Sequence, residues 1–344
     1  MGRLYRFAAV AACVAILSGI ALVAQATRTA GAKMAAAANT FLGSLTPEQK
    51  AKAFFPFESP ERVKWNFIPL QDKDKKPTRK GIRFEELSEG QKAAALNLLK
   101  AGLSEKAYGQ ATTIMSLESL LKELEGNGAM VRNPNWYFVS IFGQPSNDGK
   151  WGWRIEGHHL SVNLTLDKGA VLSATPIQLG ANPAEVKSGS RKGLRTLPEI
   201  EDLAKELIKT LDADQLKIAR QAKQFGEVEA KPRVPASDPI GLPYAKMTDA
   251  QKAILWKLME AYATRATGEA AEDELNRAKA AGLDKVCFGY CIDEKKPGKP
   301  YTYRVQGPTF VIEFLNVQAD SAKNPANHIH SAWRTLPADF GLEK

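Results

Sequence analysis

Two stretches of the chain carry one pattern of apolar and polar positions. GIRFEELSEGQKAAALNLLKA (81–101) and GLPYAKMTDAQKAILWKLMEA (241–261) align without a gap, with Gly, Gln, Lys, Ala and Leu recurring at the same places. Each opens polar and then sets apolar residues at helical spacing. In the first, Ser88 is the predicted N-cap, and Ala95, Leu96, Leu98 and Leu99 form the apolar face. In the second, Thr248 takes the cap, and Ile254, Leu255, Leu258 and Met259 follow.

The match continues downstream with a different period. Residues 135–166 align gaplessly with 285–316, with identities at Phe138/Phe288, Arg154/Arg304 and Gly157/Gly307. Each segment holds a β-rich run, a polar turn (QPSNDGK or EKKPGKP), an aromatic-x-aromatic-Arg-aliphatic strand, a Gly turn and a third strand. Upstream, FLGSLTPEQKAKA (41–53) resembles LIKTLDADQLKIA (207–219). The predicted class is therefore α+β and internally duplicated, each half being helices followed by a three-stranded antiparallel meander. The first half covers 40–180, and the second covers 195–344 with a tail. Between them, residues 175–193 are rich in Gly, Pro and Ser, and a second loop (225–243) holds four prolines.

The first residues read differently. Arg3 and Arg6 precede an apolar run from Phe7 to Ala24, and Ala24-Gln25-Ala26 offers small residues for cleavage. Residues 1–26 are predicted to be a signal peptide, so the chain is expected to be exported, periplasmic or extracellular, with no membrane association after cleavage. An uncleaved anchor is the other reading of an apolar run of this length. Removing Arg3 and Arg6 takes the formal charge from +9 to +7. The basic residues are spread out and not interleaved with aromatics, which argues against nucleic acid. Cys287 and Cys291 would lie about 13 Å apart on a strand, too far for a disulfide.

The histidines narrow the chemistry. The chain has four, His158 and His159 in a GHH turn and His328 and His330 in NHIHSAWR. Two residues apart on an extended segment, His328 and His330 project to one face and can converge on one point. Imidazole is the commonest ligand of Zn, Cu, Fe and Ni. The matching hairpin of the second half has Pro308-Thr309 where the first has the histidine pair, so the turn itself does not require histidine. The tail that carries His328 and His330 shows no matching segment in the first half. Arg154, with Arg304 at the matching strand position, and Arg334 are candidate anion clamps. Glu156, two residues before the histidine pair, is a candidate general base beside metal-bound water. No Gly-x-Ser-x-Gly elbow, phosphate loop, dinucleotide fingerprint or His-Glu-x-x-His is present.

WRIEGHHLSVNLT, YRVQGPTFVIEFLN and NHIHSAWRTLPADFG together resemble the bacterial exported proteins grouped as domain of unknown function 3500. The resemblance runs from about Thr40 onward. The family pattern often goes on to another histidine beyond the DFG-like end, which this sequence does not match. The resemblance implies a shared fold and export, and no activity.

Two readings follow. In the first, the protein is a metal-dependent enzyme, hydrolase or oxidoreductase. A divalent transition metal (Zn, Cu or Fe) is held by His328 and His330 with His158 or His159. In the second, it is a non-catalytic module binding a small molecule, glycan or peptide. The metal reading requires the tail to fold back onto the first half, bringing nitrogens of the two pairs within about 5 Å of each other.

Overall fold

The computed structural model describes residues 30–126, 128–234 and 237–342. The predicted signal peptide lies outside these residues. The described chain is a mixed α/β fold of eight helices and one twelve-stranded, mostly antiparallel sheet.

Two of the helices begin where the capping signals at Ser88 and Thr248 place them. Helix α1 covers residues 30–44, followed by α2 (Pro47–Ala53), α3 (Glu89–Gly102) and α4 (Glu105–Glu125). After the first strands come α5 (Pro198–Thr210), α6 (Ala213–Ala219), α7 (Asp249–Ala263) and α8 (Gly268–Ala280). Ser88 caps α3 and Thr248 caps α7, each in a capping box closed by Gln91 or Gln251. The same glutamines reach a second helix start. Gln91 bonds Gln49 of α2, and Gln251 bonds Gln215 of α6. One residue type thus satisfies its own helix end and ties a neighbouring helix to it.

Five strands follow the first helices: β3 (Phe138–Phe142), β4 (Lys150–Gly157), β5 (Leu160–Asp167), β6 (Ala170–Ser173) and β7 (Ile177–Ala181). Short β1 (Phe54–Phe55) and β2 (Ile82–Arg83) pair with β3, and β6 pairs with β5. The later strands are β8 (Leu242–Pro243), β9 (Cys287–Ile292), β10 (Tyr301–Gln306), β11 (Phe310–Asn316) and β12 (Ile329–Thr335). The sheet runs β1-β3-β4-β5-β7-β12-β11-β10-β9-β8. A fourth strand, β7 or β12, extends each three-strand run, and the antiparallel β7–β12 pair joins the runs into one sheet. The tail strand β12 therefore holds the place in its run that β7 holds in the other. Gapless sequence matching does not reach this pair, because nine residues (168–176) separate β5 from β7 and twelve (317–328) separate β11 from β12.

Side chains alternate between two unlike faces. One face, with Trp153, Ile155, Val162, Leu179, Phe288, Tyr303, Phe314 and Trp333, packs under the helices in the main core. The opposite face is polar and nonetheless buried, with Arg154, Glu156, Asn163, Gln178, Glu313, His330 and Arg334. Two long, largely irregular segments cover it, 56–81 and 221–234, and a small apolar cluster of Trp65, Phe67, Val228, Leu315, Ala332 and Phe340 lies beneath them.

Arginines on this face hold the covering segments. Arg154 donates to the Glu61 carbonyl at 2.8 Å and to its carboxylate at 2.9 Å. Arg334 pairs with Asp339 and donates to the carbonyls of Glu229 and Lys231. Asp339 is 0% exposed. Removing one member of a buried ion pair leaves the other charge unbalanced and typically costs about 3–5 kcal/mol. Arg334→Met should lower unfolding stability by about that amount in urea titrations. Adding Asp339→Leu to it should restore much of the loss, whereas a surface change such as Lys217→Met should leave stability within about 0.5 kcal/mol.

Candidate metal centre

Three elements build the centre. The first is the β4–β5 turn. Gly157 lies against Tyr137, whose ring would sit 2.4 Å from a Cβ there, so a larger residue cannot enter the turn. His159 adopts a left-handed backbone with φ of 62°, a conformation in which histidine is enriched among non-glycine residues. Its amide donates to the Phe67 carbonyl at 2.7 Å, and its carbonyl accepts from Gly180 at 2.8 Å. These bonds turn the imidazole over the end of β7. Gly180 makes room for it, because a Cβ there would stand 3.0 Å from His159 Cδ2 and 2.6 Å from the Ile329 carbonyl.

The second and third elements are β12 and the residue just before it. His330 pairs directly with Gly180 across the β7–β12 ladder. His328 precedes the strand by one residue, and its amide donates to Asn316 Oδ1 at 3.0 Å. Being two apart, both rings lie on the polar face. The result is a convergence across about half the chain. His159 Nε2 is 2.7 Å from His328 Nε2 and 3.2 Å from His330 Nε2. One nitrogen from each ring lies within 4.8 Å of the others. The tail does fold back, and the nitrogens meet well inside the separation expected from the sequence.

The outer nitrogen of His330 is also held. His330 Nδ1 faces Glu227 Oε1 at 2.8 Å. A carboxylate on the far nitrogen is the usual partner of a metal-bound imidazole, fixing its tautomer and raising its basicity. Phe67 packs edge-on against the His330 ring, with centroids 5.0 Å apart. Burial at this spot disfavours charged imidazole. It drives the His159 pKa well below the usual histidine value and that of His328 down to about 3. Burial raises the Glu227 pKa, but the hydrogen bond to His330, its charge and the Val228 amide together leave the carboxyl below the usual range.

Tautomers sharpen the point. If His330 Nδ1 donates to Glu227, its Nε2 carries only a lone pair. The contact from His159 to His330 then needs a hydrogen on His159 Nε2. The closer contact to His328 needs a hydrogen on the same line or one on His328. One hydrogen points fully at only one neighbour, so in this tautomer neutral imidazoles make one of the two contacts well and the other poorly. A cation at the centre accepts all three lone pairs at once.

His158 is not one of the three. Its ring stacks on His159 with centroids 3.8 Å apart, and its Nδ1 faces Glu118 and, at 3.2 Å, Arg132 Nη1. Burial lowers its pKa, against the opposing pull of Glu118. The candidate clamps and base have protein partners. Arg154 is committed to Glu61. Glu156 accepts from Arg79 Nε at 3.1 Å and from the Asn66 amide at 2.8 Å. Arg334 is committed to Asp339 and to loop carbonyls. Sequence reasoning did not find Glu227, Glu118 or Arg132. Each is an ordinary charged residue in its local sequence, with no spacing that ties it to a histidine.

The depressed pKa values set a pH dependence. An unfolded histidine takes up a proton near pH 6.5, whereas buried His159 and His328 resist it. Stability is therefore complete above about pH 6.5 and falls as pH drops toward the folded values, by up to about 1.4 kcal/mol per pH unit for each histidine. Urea titrations of metal-stripped protein between pH 7.5 and 4 should show this fall. His328→Asn should make it shallower, and an unchanged slope would mean that His328 ionises as freely when folded as when unfolded.

No curated protein and no solved structure matches the chain. The family described as Protein of unknown function (DUF3500) matches residues 27–342. With nearly the whole chain covered, from before the first described helix to past the last strand, the protein belongs to this family.

Proposed function

We propose that the protein is a metal-dependent enzyme in which His159, His328 and His330 bind one divalent transition ion. The carrying observation is the meeting of three imidazole nitrogens in one largely buried place. Three histidines leave a coordination position open. With zinc, that position supplies activated water for hydrolysis. With copper or iron, it supports oxidation, so the identity of the metal separates hydrolase from oxidoreductase. Glu227 and His158 would tune the centre from outside it.

A second reading has support of its own. On the same polar face, an open groove of about 590 Å³ lies between the covering segments, lined among others by Glu61, Lys64, Trp65, Arg79, Glu156 and Lys231. This groove suits a non-catalytic module for a small molecule, glycan or peptide. Arg154, Glu156 and Arg334 then act by holding the groove's walls.

Two further features belong to the proposal. The matched capping glutamines and the strand order that reads alike from either end support an ancestral duplication into halves 40–180 and 195–344. The basic start and apolar run of residues 1–26 support export, with a mature N-terminus near Thr27. N-terminal sequencing of protein recovered from the exporting cell would test this, and an intact Met1 would refute it.

The metal is tested by elemental analysis of protein purified without a histidine tag. About one equivalent of a single transition metal is expected, consistent with one His₃ site. His328→Ala and His330→Ala should each remove most of it. Glu227→Gln should weaken metal affinity by about 10–100-fold without abolishing it. Adding metal to stripped wild type at 100 times its Kd should raise stability by about 2.7 kcal/mol. Full metal content in His328→Ala would make the trio structural and give the lead to the binding module.

A further inference from the structure

Gln178 is the one residue on the polar face whose side chain is wholly buried with both amide atoms, Oε1 and Nε2, lacking a partner among the described residues. Such a group is costly to bury, so its retention calls for a physical reason. Its neighbours on the sheet offer it nothing. Ala332 lies directly across on β12 and has no polar side chain. Ser161 lies across on β5, but its hydroxyl donates to Glu156 Oε2 and accepts from Asn163 Nδ2.

The amide lies near His159. Gln178 Nε2 lies 3.2 Å from the point where a Gly180 Cβ would sit, and His159 Cδ2 lies 3.0 Å from the same point. Cδ2 is bonded to Nε2, the nitrogen that meets His328 and His330. The amide nitrogen and this edge of His159 therefore lie no more than about 6 Å apart, on the face that also carries His330. Gly180 lacks a side chain that would separate them.

Resting on the metal reading above, we propose that Gln178 hydrogen-bonds the exogenous ligand at the open coordination position. The ligand class is a small oxygen or nitrogen donor, with water or hydroxide as the resting occupant. An amide suits this task because it can accept from bound water through Oε1 and donate to a bound anion through Nε2. It does so without adding charge beside the cation. Gln178 thereby selects small ligands that present a lone pair to its N–H once bound.

The test uses full-length protein loaded with cobalt(II), whose visible bands report coordination, and azide as the probe of the open position. Wild type should bind one cobalt, and azide should shift its bands. Gln178→Leu should hold the same cobalt and weaken azide at least about tenfold, as expected for a lost hydrogen bond to a charged group. Gln178→Glu should weaken azide further by charge repulsion. Because the leucine removes an unsatisfied amide, its metal-free form should melt no lower than wild type. Equal azide affinity in wild type and Gln178→Leu at equal cobalt content would overturn the assignment. So would a wild-type cobalt spectrum that azide does not move, or loss of cobalt and a lower melting temperature in Gln178→Leu, which would make the residue structural. A wild type that binds neither cobalt nor zinc would instead sink the metal reading itself, and this inference with it.

Discussion

The pairing of β7 with β12 is the contact on which the rest depends. It joins two strand runs into one sheet and places residues near 180 beside residues near 330. It also fixes which face each histidine shows. Because side chains alternate strictly, a one-residue slip of β12 would send His330 to the helix face and bring Ser331 or Ile329 to the polar one. The register is held from the other face as well. Ser331 accepts from Arg265, which is buried under the helices, and donates to the Leu179 carbonyl. Trp333 stacks on Phe310 with ring centroids 4.6 Å apart. Apolar packing on one face thus sets the geometry of the polar chemistry on the other.

The polar face shows what it takes to bury charge without a helix layer. Two irregular segments cover it, and irregular backbone carries donors and acceptors that need partners. The sheet's arginines supply many of them. Arg154 satisfies the Glu61 carbonyl, Arg334 satisfies those of Glu229 and Lys231, and Trp65 donates to Lys231 as well. The cover and the sheet are therefore mutually dependent. The same cover delivers Glu227 and Phe67 to His330. A centre made of histidines from the sheet receives its outer partners from the loops.

What could be read from the sequence divides along the same line. The caps at Ser88 and Thr248 follow from rules that act over three residues, and they were legible. The shared face of His328 and His330 follows from the two-residue period of an extended chain, and it was legible too. The convergence with the GHH turn was expected because the histidines occur nowhere else in the chain. Which of His158 and His159 would join was not legible, since that depends on the left-handed backbone of His159 and on the space at Gly180. For Arg154, Glu156 and Arg334 the sequence leaves a structural and a chemical role both open, because it does not show what covers a strand. Glu227 gave no signal, since its partner lies 103 residues away.

Gly180 and His159 explain one another. The imidazole needs the space of the missing Cβ, and the glycine amide needs the His159 carbonyl as its acceptor. Glycine in a central strand is normally a weakness, because it adds backbone entropy and packs nothing. Here the weakness is offset by a ring that fills the place of a side chain. That ring comes from a turn whose backbone is itself in an uncommon region. Two locally unfavourable choices, a strand glycine and a left-handed histidine, become mutually compatible only when β5, β7 and β12 are in register. Local conflicts resolved in this way gather at functional sites. They support the proposal that the three imidazoles act as ligands, since the matching hairpin of the second half has Pro308-Thr309 in place of the histidine pair.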